Sequence, residues 1–142
     1  MRFNIHPMSK EMLQNNIGQF LEVDRVIGRD FWAIDNFLIE LPRKWQLSFV
    51  AFDDDLLVGF LVASEKNASI HIHRLAVRRE WQSKGIGEAL VRGLIECMRH
   101  ERLPITLKVD TLNSRAVSFY ARLGFSVVQK ENDRIEMKRL SQ

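Results

Sequence analysis

The feature that most constrains this chain is the stretch at residues 77–89. An apolar run ending Leu75-Ala76-Val77 gives way to the basic, polar segment 78–84, and Gly85-Ile86-Gly87 then opens a run with Leu90, Val91, Leu94, Ile95 and Met98 at helical spacing. This reads as strand, tight turn, helix. Unpaired amides at a helix start attract anions, and two glycines let the backbone approach a ligand closely. Their partial positive charge adds to that of Arg78, Arg79 and Lys84, so a pyrophosphate can sit on the turn. The alternative is a surface loop in which glycine serves only the tight connection. Two nucleotide signatures are absent: there is no four-residue spacing followed by Gly-Lys-Ser/Thr, and Leu90 stands where a dinucleotide fingerprint has its third glycine.

Around this turn the remaining elements follow in a simple order. A short strand at 3–5 precedes a helical region that Ser9 caps and Gly28 stops, and Asp30 is placed to cap a second helix over residues 31–41, before Pro42. Apolar runs at 47–52 and 56–63, separated by Asp53-Asp54-Asp55, predict an antiparallel hairpin, and residues 69–77 alternate as a third strand. After the central helix come a strand at 105–109, a helix to Leu123 closed by Gly124, and a hairpin of 125–128 with 135–138. The fold expected is mixed α/β: about seven mostly antiparallel strands flanked by four helices, in one domain spanning 1–142.

Composition narrows the setting. Cys97 is the one cysteine, so no internal disulfide forms, and with no apolar run long enough for a bilayer the expected location is cytoplasmic, without membrane contact. A net charge of +3 is too mild for a nucleic-acid footprint.

Two ordered signatures carry a family resemblance. The first is Gln82-Ser83-Lys84-Gly85-Ile86-Gly87 between a Leu-Ala-Val strand and an amphipathic helix; the second is Asn113-Ser114-Arg115-Ala116-Val117-Ser118-Phe119-Tyr120-Ala121-Arg122-Leu123-Gly124-Phe125. Together they resemble the GNAT superfamily of acetyl-CoA-dependent N-acetyltransferases over residues 69–125. The resemblance implies acetyl-CoA as cosubstrate, with no metal. It implies a splayed strand at Leu75, Ala76 and Val77 that holds the pantetheine arm. The turn from Gln82, Ser83, Lys84, Gly85, Ile86 and Gly87 into Glu88 and Ala89 would carry the pyrophosphate. Asn113, Ala116, Phe119 and Arg122 would lie along the coenzyme, although Phe119 also reads as a core residue of an amphipathic helix.

Tyr120, the sole tyrosine, matches the family residue near the thioester sulfur. A phenol of ordinary pKa about 10 stays protonated at neutral pH and can protonate a departing thiolate. His71 and His73, two apart on a strand, project to one face, and imidazole can accept the proton of an attacking amine. His71-Ile72-His73-Arg74-Leu75-Ala76-Val77 is similar to the His-x-His-x-Leu-Ala-Val stretch of arylalkylamine N-acetyltransferases, which implies a base role for both; a solvent-facing pair is the alternative. Relatives that acetylate the N-terminal alanine of a ribosomal protein carry a glutamate base where this chain has Lys108, which argues against that activity.

The acceptor is then a primary amine, of a small, partly apolar molecule or of a protein N-terminus or lysine, in a pocket between the first helices and the sheet. Phe31, Trp32, Phe37 and Trp45 are candidate walls, or else core. A coenzyme-A-binding module without turnover is the rival reading, and the last hairpin offers an edge for a homodimer.

Overall fold

The computed structural model describes residues 2–141. The elements run β1 (Asn4–Pro7), α1 (Lys10–Asn15), α2 (Ile17–Asp24), a 3-10 turn (Arg25–Ile27), α3 (Ile34–Leu38), α4 (Lys44–Leu47), β2 (Phe49–Asp53), β3 (Leu56–Lys66), β4 (Ser69–Val77), a 3-10 turn (Arg79–Trp81), α5 (Ile86–Cys97), β5 (Ile105–Asp110), α6 (Ser114–Arg122), β6 (Ser126–Glu131) and β7 (Arg134–Arg139). The seven strands form one sheet in the order β1-β2-β3-β4-β5-β7-β6. Every pairing is antiparallel except β4 with β5.

Among the described residues the strand count agrees with expectation, and the helix count is six rather than four. Ser9 caps α1 as expected, its side chain accepting from Met12 N at 3.0 Å. The first helical region breaks at Asn16, whose φ of −123° is not helical and whose amide side chain donates to the Met12 carbonyl at 2.9 Å. The second region is shorter than expected, and a further helix follows it. Asp30 has a φ of 51° and caps nothing, so α3 starts only at Ile34, where the Asn36 side chain accepts from Ala33 N at 2.8 Å. Pro42 then disfavours helix at the residue before it and separates α3 from α4.

The sheet has a core on each face. On one, Leu13, Phe20, Val23 and Phe37 from α1 to α3 pack on Val50, Leu57, Phe60, Val62 and Ala76. On the other, Leu90, Val91 and Leu94 of α5 and Tyr120 of α6 pack on Leu61, Ile70, Ile72, Ile105, Leu107 and Met137. Each fully buried aliphatic side chain of α5 contributes roughly 1.5–3 kcal/mol. Gly59 sets how closely α5 sits: a Cβ there would lie 3.0 Å from Ile86 Cγ2 and 3.1 Å from the Ala76 carbonyl oxygen. Thus a glycine inside an apolar strand lets the helix N-terminus rest on the sheet. The last strand of the order, β6, forms the outer edge with every residue exposed.

Candidate active site

The parallel pair β4 and β5 is joined at only two positions, Ile70 with Ile105 and His71 with Thr106; beyond them the strands part. Into the resulting opening come the start of α5 and one face of α6. A cleft of about 890 Å³ lies there, and its walls include Leu75, Ala76, Val77, Gln82, Ser83, Gly85, Ile86, Gly87, Glu88, Asn113, Ala116, Phe119 and Arg122. These are thirteen of the fifteen positions assigned to the coenzyme from sequence. Lys84 and Ala89 are not on the wall. Lys84 is exposed, and the amide of Ala89 is already committed to the Gly85 carbonyl at 3.0 Å.

The chemistry of this wall suits an anionic ligand with an extended arm. Gly85 takes a left-handed φ of 87° and no side chain caps it, so the first amides of α5 face the cleft without a capping side chain. Gly87 lies against Phe119, whose Cζ a Cβ would approach to 3.4 Å. Phe119 therefore does both things weighed from sequence: it packs on the core and lines the cleft. Arg122 lies over its ring at 6.0 Å. Arg78, expected to reinforce the turn, is turned away: its Nε donates to the Leu57 carbonyl at 2.9 Å and its guanidinium pairs with Glu22. Sequence reasoning passed over Trp81 and Arg115, which also line the cleft. Arg115 Nη2 reaches Ser83 Oγ at 3.3 Å, and its place inside the second signature was the available signal.

A second cleft, about 580 Å³, adjoins the first, since both are lined by Val26, Ile27, Leu75, Asn113 and Ala116. Tyr120 and His73 are on its wall. The register between β3 and β4 shifts here: Val62 pairs with Arg74 but Ala63 with Ile72, so His73 is an extra residue. The bulge inverts the alternation of β4. Ile70 and Ile72 pack on the α5 side before it and Leu75 and Val77 after it, which leaves His73 and Arg74, consecutive in sequence, on the same cleft.

The two histidine rings lie 5.0 Å apart, edge to face. Nε2 of His73 is 2.6 Å from Ser64 Oγ, while Nδ1 of His71 is 2.8 Å from Thr106 Oγ1. His71 stands behind His73 and is not on the cleft wall. Ser64 and Thr106, both buried, drew no notice in the sequence because each sits as one polar residue beside an apolar run. Burial pushes the His73 imidazole down to about 4, helped by the neighbouring His71, Lys66 and Lys44. His71 is lowered too, first by burial and then by Lys66 and Lys108. Burial acts oppositely on Tyr120, raising its phenol well above the ordinary value. That group stays protonated. The charged side chains of the cleft are Arg29, Asp30, Arg74, Lys108, Asp110 and Arg134, so its lining is polar.

The aromatic candidates sit elsewhere. Phe37 has no exposed surface and packs edge-on against Phe20, Trp32 and Phe60, because α3 folds its one apolar face onto the sheet. Trp45 lies on α4 with its indole N–H donating to Glu40 at 2.9 Å. Phe31 and Trp32 line a separate surface hollow with Leu21, Arg25 and Ile34.

Comparison with known proteins agrees with this geometry. The model of the acetyltransferase (GNAT) family matches residues 17–125. The chain belongs to that family and is an N-acetyltransferase. N-alpha-acetyltransferase 30 of Schizosaccharomyces pombe is 30% identical over 127 residues, covering 85% of this chain and 82% of the relative. Among solved structures, the ribosomal-protein-S18-alanine N-acetyltransferase of Escherichia coli superimposes with a TM-score of 0.84 at 19% identity, over 99% of this chain and 96% of that one. The PaiA N-acetyltransferase of Thermoplasma acidophilum, solved with coenzyme A, gives 0.79 at 22% identity over 99% of each chain. These two likenesses are of fold.

Proposed function

We propose that this enzyme transfers the acetyl group of acetyl-CoA to a primary amine by direct attack in a ternary complex, with Tyr120 as general acid and His73 as general base. The observation that carries the reading is that both residues line one cleft, and that this cleft adjoins the glycine turn at Leu75, Asn113 and Ala116. The first amides of α5 bind the pyrophosphate, and the free edge of β4 from Leu75 to Val77 holds the pantetheine arm as an added strand. Bound there, acetyl-CoA supplies an activated acyl group. Asn113 has a separate task, because its side chain caps α6 at 3.0 Å from Ala116 N and so orients the helix that carries Tyr120.

Tyr120 delivers its proton to the departing sulfur. The phenol is protonated at neutral pH, gives its proton to the thiolate as the carbon–sulfur bond breaks, and regains one from solvent before the next turnover. His73, pushed down to about 4, is too weak a base to strip a free alkylammonium. It accepts instead from the attacking nitrogen, whose acidity rises steeply as its lone pair enters the new bond. The amine therefore enters neutral. His71, held by Thr106, stands behind His73 as the next station for that proton.

The acceptor is a small polar amine, since the cleft is lined by charged side chains and the aromatic residues lie outside it. A peptide N-terminus is the second reading, and the relative named N-alpha-acetyltransferase 30 favours it. Thiol release from acetyl-CoA, followed against arylalkylamines, polyamines, amino acids and short peptides, tests both. Turnover confined to one class assigns the acceptor. Binding of acetyl-CoA with no turnover across all four contradicts the amine reading and favours a coenzyme-binding module.

A further inference from the structure

Residues 28–33 run from the 3-10 turn to α3, and two of them, Arg29 and Asp30, line the acceptor-side cleft. One flank of this segment rests on a buried ion pair. Asp24, at the end of α2 and 1% exposed, accepts Arg74 Nε at 2.7 Å and Nη2 at 3.0 Å, and also the backbone N–H of Trp32 at 2.8 Å. Arg74 Nη2 donates in addition to the Asp30 carbonyl at 2.9 Å, and the guanidinium lies over the Trp32 ring at 5.3 Å. The other flank is held differently. Arg29 pairs with Asp110 of β5, and Arg134 of β7 lies 3.7 Å from Asp30; Arg29, Arg134 and Asp30 are exposed and Asp110 is half-buried.

The two flanks differ in strength. Exposed pairs contribute about 0–1 kcal/mol and are screened by salt, whereas losing one partner of a buried pair strands a charge and costs several times that. The segment is thus firmly tied to β4 and loosely tied to β5 and β7. The β4 tie is made by the residue after His73, which the bulge turns to the same cleft.

We propose that the Asp24–Arg74 pair is a positioning device for the acceptor: it holds residues 28–33 as a fixed cleft wall beside His73, while the Arg29–Asp110 and Asp30–Arg134 contacts open on the far side. Asp24 is not on the cleft wall, and the Arg74 guanidinium, which is, is committed to Asp24 and the Asp30 carbonyl. The functional part of this inference rests on the amine-acetylation reading above; the structural part does not.

The test replaces the pair by apolar groups of similar size, Asp24→Leu with Arg74→Met, a change that is often neutral or stabilising for a buried ion pair. It removes the hydrogen bonds to the segment without stranding a charge. Amide exchange is then compared at Trp32, which Asp24 protects, and at Leu61 in the core, which reports global opening. Exchange at Trp32 is expected to speed up by about tenfold or more beyond any change at Leu61. With 2-phenylethylamine and tetraalanine as probe acceptors, KM is expected to rise about tenfold while kcat and the acetyl-CoA Kd stay within about threefold, the pattern of lost ground-state positioning. Unchanged Trp32 exchange overturns the proposal, and so does a loosened segment with an unchanged KM. Should the double variant fail to fold, Asp24→Val with Arg74→Gln carries the same comparisons, because it too removes the acceptor of the Trp32 N–H without stranding a charge. A wild type that acetylates neither probe contradicts the use of these amines as acceptors, and the exchange measurement still decides whether the pair anchors the segment.

Discussion

His73 Nε2 stands 2.6 Å from Ser64 Oγ across the β3–β4 ladder, at the place where the register slips by one residue. The bulge and the serine together aim the imidazole at the cleft. Replacing Ser64 by Ala removes one hydrogen bond from a buried position. kcat is expected to fall about tenfold, the equivalent of one such bond, with the fold retained. Steady-state kinetics beside a thermal melt checks this.

Protonation of His73 sets a pH dependence of stability. Its pKa is about 4 in the folded chain against an unperturbed 6.5, so between these values the unfolded chain binds a proton that the native state does not. The contribution is therefore complete above about pH 6.5 and is lost as pH falls towards 4. Denaturant midpoints between pH 8 and 4, in wild type and His73→Gln, should show a shallower acid decline in the variant.

Tyr120→Phe removes the proton donor and little volume. A fall in kcat of about 100-fold is expected, with acetyl-CoA binding retained. Because burial raises this phenol, the wild-type rate is expected not to decline up to about pH 10 from loss of its proton. A pH–rate profile for both proteins reads the two effects together.

Gly59→Val places side-chain carbons where Ile86 and Leu90 of α5 already lie. Overpacking of this kind costs about 1–3 kcal/mol, and here it also lifts the helix start whose amides are proposed to bind the pyrophosphate. A lower Tm and acetyl-CoA binding weakened about tenfold are the expected outcomes, measured by melting and calorimetry.

Much of this site was legible in the sequence because its parts are local. The glycine turn, the Gly124 stop and the position of Tyr120 on α6 each follow from residues within a few places of one another. The histidine pair was legible as two groups on one face, but their inequality was not. That inequality comes from a one-residue bulge whose cause lies in the pairing with β3, and from Ser64 and Thr106 on other strands. The acceptor walls failed for a similar reason. The sequence presents one helix over residues 31–41 with Trp45 beyond it, whereas Asp30 in a left-handed conformation delays that helix to Ile34 and Trp45 falls on a further helix, so Phe37 turns to the core and Trp45 to Glu40. The Asp24–Arg74 pair spans fifty residues and has no local signature.

The central claim is that Tyr120 and His73 act on opposite sides of one acetyl transfer. Its most direct test is acetylated amine formed per acetyl-CoA consumed, by mass spectrometry, for wild type, Tyr120→Phe and His73→Ala, with acetyl-CoA affinity measured on the same samples. The expected result is a one-to-one yield in wild type, and rates lower by about 100-fold in each variant at near-unchanged affinity. Wild-type rates in both variants, or acetyl-CoA that does not bind, would contradict the account.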